Sequence, residues 1–354
     1  MKTRIATFKQ QFPMLRHCIL PVFLLIASVV LAQADSSSFF LKKGLDEKQK
    51  GRRMESLKNF EKSFKYDSSN KAMLGELASA YVDLRKYYQA KETYKKLVNL
   101  GETSPTNYKQ LLQLCFSLRS YDEAILYAND LKKTAPTEKV NYYLGKINYE
   151  RENYGDALKY LNAAAKDDPQ NAEVSYMLGR SYADMQNYKQ AIPYYQKAIE
   201  QDGSKYGWIY ELGLISYANN NNADALKYIQ LAGEKGYPKD NGYLQNLAIA
   251  NLDAGKFDDG MSILNDLLKR RPADLTLLDM TAQAYYDHGK YDDAMNNWDA
   301  ILGYDKSNAQ ALYMIGMCYL KKGDKGKGTQ LCDKAIQMDP SLAAYKQKRE
   351  MTGF

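Results

Sequence analysis

The sequence predicts an all-α protein, an α-solenoid of about nine helix-turn-helix repeats, and three observations carry that expectation. A residue pattern returns every 33 to 35 positions along most of the chain. Each period holds two stretches of apolar residues at helical spacing, parted by a short polar turn such as Gly289-Lys290 or Gln186-Asn187. Prolines 136, 169, 272 and 340 stand where the second stretch must stop, because proline lacks the N–H and clashes with the preceding turn.

The amino-terminal element comes first. Residues 1–34 run from a basic stretch with Lys2, Arg4, Lys9 and Arg16, through an apolar run from Ile19 to Leu31, to Ala32-Gln33-Ala34. That order reads as a secretory signal cleaved after Ala34, because the run is shorter than the roughly 20 residues a helix needs to cross a bilayer. Cys18 precedes the apolar run, so it is not placed as a lipid-carrying cysteine. The formal charge of +7 owes much to this segment, which has four basic residues and no acid. The remainder is near balance and has no basic stripe of the kind that nucleic-acid binding requires.

The repeats occupy 35–342, with starts near 37, 71, 105, 138, 172, 206, 241, 275 and 309. In that register the eighth residue is Gly44, Ala78, Leu112, Gly145, Gly179, Gly213, Ala248, Ala282 and Gly316, and only Leu112 is large. The twentieth is Ser56, Ala90, Ala124, Ala157, Ala191, Ala225, Gly260, Ala294 and Gly328, small every time. Small residues at both places let paired helices approach closely; glycine in a helix interior costs about 1 kcal/mol relative to alanine and needs such a reason. The twenty-seventh residue is small in five repeats, including Ala164, Ala198, Ala232 and Ala335, where the second helix meets the next pair. The seventeenth is aromatic in six: Tyr87, Tyr121, Tyr154, Tyr188, Phe257 and Tyr291. Repetition thus explains part of an unusual composition, 31 tyrosines against 10 phenylalanines and two tryptophans.

The 34-residue period, the small eighth and twentieth residues, the aromatic seventeenth and the terminal proline resemble the tetratricopeptide repeat family. The resemblance spans nearly all of the chain after residue 34 and implies a right-handed superhelix. Repeat one departs from the pattern with Arg53 and Lys48-Gln49-Lys50, repeat three with Leu112 and Cys115, and repeat nine with Lys325 and Gly328. Departures at the two ends suit capping repeats, which must face water. After Pro340, residues 343–354 are expected to form a capping helix and tail, with Leu342, Tyr345 and Met351 over the last apolar face.

Catalytic chemistry finds little footing. After residue 34 the only histidine is His288, beside Gly289 in an inter-helix turn, and the cysteines are Cys115, Cys318 and Cys332. No metal constellation at ligand spacing and no Ser/His/Asp or Cys/His set is present, so no metal and no cofactor is expected. A bridge between Cys318 and Cys332 would need Cα atoms within about 7 Å. Gly323 to Thr329 imitates a phosphate loop, but Thr329 stands where the lysine is required, and the segment reads as the ninth repeat's turn. Acidic pairs such as Asp258-Asp259 and Asp292-Asp293 begin second helices, where they favour the helix dipole. The expected protein is not an enzyme.

The resemblance implies a concave groove lined by residues 2, 5, 9 and 12 of each repeat. Carried onto this chain, those places give Tyr142, Lys146 and Tyr149 in repeat four, Tyr176 and Arg180 in repeat five, and Tyr210, Leu214 and Tyr217 in repeat six. They continue through Ile249, Tyr286 and Tyr313, with Gln245, Leu252, Asp279, Gln283, Met317 and Leu320 between. The helix-packing pattern does not demand these tyrosines, and their rings and hydroxyls suit contact with an extended peptide. Mutual packing of neighbouring rings is the other reading, and both can hold in different repeats. The expected role is an exported adaptor, periplasmic or secreted, that holds an extended segment of another protein or peptide. It would have no nucleic-acid partner and no membrane span after signal cleavage, and association with an envelope complex is compatible with it. The alternative is a carbohydrate-binding surface in which Tyr142, Tyr176 and Tyr210 stack on sugar rings.

Overall fold

The structure, a computed structural model, describes residues 35–344. The signal expected over 1–34, with Cys18, lies outside the described residues. So does the capping helix expected over 343–354, save for residues 343 and 344, which are helical.

Among the described residues every regular element is helical. The chain falls into two compact units, one ending at Asp167 and the other beginning at Asp168. The first holds four helix pairs: α1 (35–49) with α2 (Arg53–Tyr66), α3 (Lys71–Asp83) with α4 (Tyr87–Asn99), α5 (Pro105–Ser117) with α6 (Tyr121–Thr134), and α7 (Asn141–Glu150) with α8 (Tyr154–Asp167). The second holds five: α9 (Ala172–Asp184) with α10 (Tyr188–Gln201), α11 (Tyr206–Ala218) with α12 (Asn222–Glu234), α13 (Asn241–Asp253) with α14 (Phe257–Arg270), α15 (Leu275–Asp287) with α16 (Tyr291–Tyr304), and α17 (Ala309–Lys321) with α18 (Lys325–Met338). A 3₁₀ turn, Pro340–Leu342, follows.

One local device closes every pair. The fifteenth residue of each repeat is left-handed: Gly51, Arg85, Arg119, Glu152, Gln186, Asn220, Gly255, Gly289 and Gly323, with φ between 56° and 92°. In each turn this residue and the next donate back into the first helix; Arg85 bonds the Val82 carbonyl at 2.9 Å and Lys86 the Tyr81 carbonyl at 2.8 Å. That is the Schellman arrangement, which satisfies carbonyls the helix end would leave open. Gly323 is one of these turn residues, so the glycine-rich run at 323–329 is a turn followed by the start of α18.

Six first helices begin on short polar caps. Asn70, Ser104, Asn171, Asp240, Asp274 and Asn308 each accept the N–H of the third residue beyond, worth about 1 kcal/mol apiece. Helix α7 is preceded by Val140, whose side chain cannot cap, and it begins at Asn141, later than the repeat start at 138. Pro136, Pro169, Pro272 and Pro340 each follow a finished second helix.

The small eighth residues meet large twenty-fourth ones. A Cβ on Gly145 would lie 2.7 Å from Leu161, one on Gly179 2.6 Å from Tyr195, and one on Gly213 2.8 Å from Ile229. Repeat three inverts the pair: Leu112 fills the eighth place and Ala128 takes the twenty-fourth, both buried. The departure seen in the sequence is therefore a volume-conserving exchange. Cys115, Cys318 and Cys332 are buried thiols, and no disulfide joins Cys318 to Cys332. Burial pushes the Cys115 thiol up to about 11 and the Cys318 thiol up to about 12, so both stay protonated near neutrality.

Candidate functional site

In the first unit, α7 presents Tyr142, Lys146 and Tyr149 one helical turn apart. The Lys146 ammonium lies 5.5 Å from the centroids of both Phe116 and Tyr142, a cation held by two ring faces. Tyr143 meets Phe116 and Tyr142 edge-on at 5.7 Å, and Gln113 donates to its hydroxyl at 3.2 Å. Tyr149 packs edge-on against Tyr154 at 5.8 Å. Beside this cluster Lys109, Leu112, Glu138, Lys139 and Tyr143 help to line a cavity of about 400 Å³, in which Lys109 and Glu138 pair at 2.9 Å.

In the second unit the fifth-place tyrosines are core residues, which corrects the expectation that packing does not require them. Tyr176, Tyr210 and Tyr313 are all buried. Trp208 stacks on Tyr176 at 4.4 Å, and the Tyr176 and Tyr195 hydroxyls both donate to Glu211, at 3.0 and 2.8 Å. Burial first, then the Glu211 charge, pushes both phenols well above the usual range. Arg180 lies 5.8 Å from the Tyr176 centroid. Tyr237 stacks on Tyr210 at 4.1 Å, and Asn246 donates to the Tyr210 hydroxyl at 2.6 Å. Tyr286 is half-buried between Tyr291 and Trp298, and burial pushes its phenol up to about 12.

The open part of this unit lies across α11, α13 and α15. Tyr217, Ile249, Leu252, Asp253, Asp279, Met280, Gln283, Ala284, Asp287 and His288 line a cavity of about 280 Å³. Tyr217 is 43% exposed, so its ring is available where those of Tyr176 and Tyr210 are not. Two of the three carboxylates are oriented by neutral donors, the Trp298 Nε1–H to Asp279 at 2.8 Å and the Gln283 amide to Asp287 at 2.8 Å, and Asp253 lies beside the Tyr217 phenol. Burial and the Asp253 charge raise the Tyr217 phenol. His288 ends α15, its Nδ1 3.1 Å from the Ala284 carbonyl and its ring against Phe257 at 4.2 Å. Leu214, on α11, is half-buried.

A tetratricopeptide repeat family model matches residues 117–172, 142–206, 176–241 and 280–343, and a second one of the same description matches 72–101. The chain is a tetratricopeptide repeat protein. Among solved structures, the carboxy-terminal part of a tetratricopeptide repeat protein from Cytophaga hutchinsonii is 20% identical with a TM-score of 0.55, covering 67% of this chain and 98% of that one. PilF from Pseudomonas aeruginosa is 19% identical with a TM-score of 0.48, covering 61% of this chain and 98% of that one. At 20% identity the likeness to the Cytophaga protein is one of fold. No curated protein sequence matches the chain.

Within this tetratricopeptide repeat protein, the open cavity gathers Tyr217, Ile249, Leu252, Asp279 and Gln283, which stand at the fifth, ninth and twelfth places of repeats six to eight. Sequence reasoning missed Asp253 and Asp287, which line the same cavity from the thirteenth place. A signal was there: that place is acidic in five repeats, at Asp83, Glu150, Asp184, Asp253 and Asp287. It also missed Trp208 and Tyr237, which cover the ring faces of Tyr176 and Tyr210 from elsewhere in the repeat order. Among the described residues, no three His, Cys, Asp or Glu side chains are grouped to hold a metal ion. None of the described helices is long and apolar enough to cross a membrane.

Proposed function

We propose that the protein is an exported, non-catalytic adaptor whose first helices hold an extended segment of another protein. Tetratricopeptide repeats are interaction scaffolds, and the single observation that carries the finer reading is the α11/α13/α15 cavity. Half of its lining residues stand at the fifth, ninth and twelfth places, and it combines aliphatic side chains, one accessible tyrosine and polar amide and carboxylate groups. At about 280 Å³ it is at or below the size of small-molecule sites, roughly 300–1,000 Å³, and suits single side chains of a longer segment. Helices fixed by Schellman turns, with side-chain caps on α13 and α15, preorganise that surface, so ordering costs on binding fall mainly on the partner. In the first unit, the Phe116–Tyr142–Lys146 cluster offers a second contact surface of cationic and aromatic character.

The sugar-stacking reading loses support, because a ring face of Tyr176 and one of Tyr210 are already covered by Trp208 and Tyr237. Export rests on the residue order of segment 1–34. The test is affinity capture from source-cell extract on the immobilised chain, beside a Tyr217→Ala/Ile249→Ala variant, with the bound fraction then treated with protease. The expected result is a protein retained by the wild type, lost from the variant and released by proteolysis. Equal retention by both chains would sink the groove, and binding that survives proteolysis would favour a glycan.

A further inference from the structure

The α11/α13/α15 cavity has one electrostatic sign. Asp253, Asp279 and Asp287 contribute three carboxylates, and none of its ten lining residues is a lysine or arginine. No ion pair within the lining neutralises the carboxylates: Asp279 and Asp287 take hydrogen bonds from the uncharged Trp298 and Gln283, and Asp253 lies beside the Tyr217 phenol. Those donors fix direction without cancelling charge. The turn lysine nearest in sequence to Asp287 and His288 is Lys290, and its ammonium lies over the Phe257 ring at 4.4 Å. The same lining holds Ile249, Leu252 and Met280, which give an aliphatic stem something to cover, and the exposed Tyr217 ring, which attracts a cation at its face. Asp253 stands on α13 and Asp279 and Asp287 stand about two turns apart on α15, and no three gather around a point, so the arrangement fits charges on an extended chain.

We infer that this groove takes a protein segment bearing arginine or lysine, whose alkyl stems lie on Ile249, Leu252 and Met280 while the charged heads meet Asp253, Asp279 and Asp287. The inference rests on the groove reading above and adds the chemistry of the partner. The outer axes of three first helices about 9 Å apart are about 18 Å from each other, a span that about six extended residues cross. The test therefore uses three fluorescein-labelled peptides of about that length, alternating Arg with Ala, Glu with Ala, and Leu with Ser. Fluorescence anisotropy follows each on the full chain, on Asp253→Asn/Asp279→Asn/Asp287→Asn, and on Asp287→Lys alone. Asparagine keeps an acceptor for the Trp298 donor, and Asp287 is exposed, so the single variant covers any folding failure of the triple one.

The expected result is binding of the arginine peptide that weakens about tenfold in either variant and falls as salt is raised, with little binding of the glutamate peptide. Unchanged affinity in Asp287→Lys, equal binding of the glutamate peptide, or no binding of the arginine peptide to the wild type would overturn the inference. A Tyr217→Ala chain separates the two levels. If the Leu/Ser peptide binds and is lost with Tyr217→Ala while Asp287→Lys changes nothing, the charge inference is overturned and the groove stands. If Tyr217→Ala changes the binding of no peptide, the groove reading fails as well.

Discussion

The Tyr195 ring occupies the space that a Cβ on Gly179 would need: its nearest ring carbons would stand 2.6 and 2.9 Å away. Tyr195 cannot swing aside cheaply, because it is 2% exposed and its hydroxyl is tied to Glu211 at 2.8 Å. Gly179→Ala is therefore expected to destabilise by about 1–3 kcal/mol, overpacking outweighing the gain of about 1 kcal/mol in helix propensity. Gly75 in α3 has nothing within 4 Å of its would-be Cβ, so Gly75→Ala should stabilise by about 0.5–1 kcal/mol. Urea denaturation of the two variants gives the two signs, and a stabilised Gly179→Ala would contradict the close approach.

The left-handed turn place makes a similar contrast. Arg85 and Gln186 hold φ of 57°, a conformation that costs a side-chain-bearing residue about 1–2 kcal/mol, whereas Gly289 holds 73° without that cost. Glycine also loses more entropy on folding, about 0.4–1 kcal/mol. The balance predicts that Arg85→Gly and Gln186→Gly each stabilise by about 0.5 kcal/mol, and that Gly289→Ala destabilises by about 1 kcal/mol. Thermal melts of the three variants check the ordering.

Glu123 receives Lys91 at 2.8 Å and Lys95 at 2.6 Å, and those bonds hold its carboxyl below the usual range. Lys91 is 8% exposed, so removing its partner charge costs more than at an open surface. Glu123→Gln should destabilise by about 1–2 kcal/mol at pH 7, between the values for surface and buried pairs. A depressed folded pKa stabilises above the unfolded pKa, and that contribution is lost as pH falls through the folded value. The gap between wild type and Glu123→Gln should accordingly close as urea melts are repeated from pH 7 down through the acid range. A gap that persists once the carboxyl is protonated would show that shape, rather than charge, is responsible.

The tyrosines divide into two behaviours. Tyr176→Ala and Tyr210→Ala remove buried, stacked rings and should each lower stability by about 3–5 kcal/mol. Tyr217→Ala removes a ring that is 43% exposed and should cost about 0.5–1 kcal/mol while weakening partner binding. Stability and binding measured on the same three proteins separate the roles, and a strongly destabilised Tyr217→Ala would place that ring in the core.

Much of the fold was legible because its determinants are local. Residue size at the eighth and twentieth places decides how near two consecutive helices come, and Gly145, Gly179 and Gly213 announce that directly. Leu112 was legible only as an exception, since its compensation, Ala128, stands sixteen residues on. The left-handed turn was hidden wherever Arg85, Arg119, Glu152 or Gln186 fills it, because the Schellman bonds impose the conformation whatever the side chain. The site was harder to read. Whether a groove-place tyrosine is open depends on residues far along the chain: Trp208 covers Tyr176 and Tyr237 covers Tyr210, both at the fifth place, whereas the twelfth-place Tyr217 stays uncovered. Periodicity names the helix face but not what the next repeats lay over it.

The most direct test of the groove is site-specific photo-crosslinking in the source cells, with p-benzoylphenylalanine in place of Ile249 or Gln283 in the cavity, and in place of Tyr304 on a second helix as control. Protein crosslinks from 249 and 283 that are absent from 304, and that disappear when Tyr217→Ala is added, are the expected result. Crosslinks from 304 with none from 249 or 283 would contradict it and move recognition to the second helices.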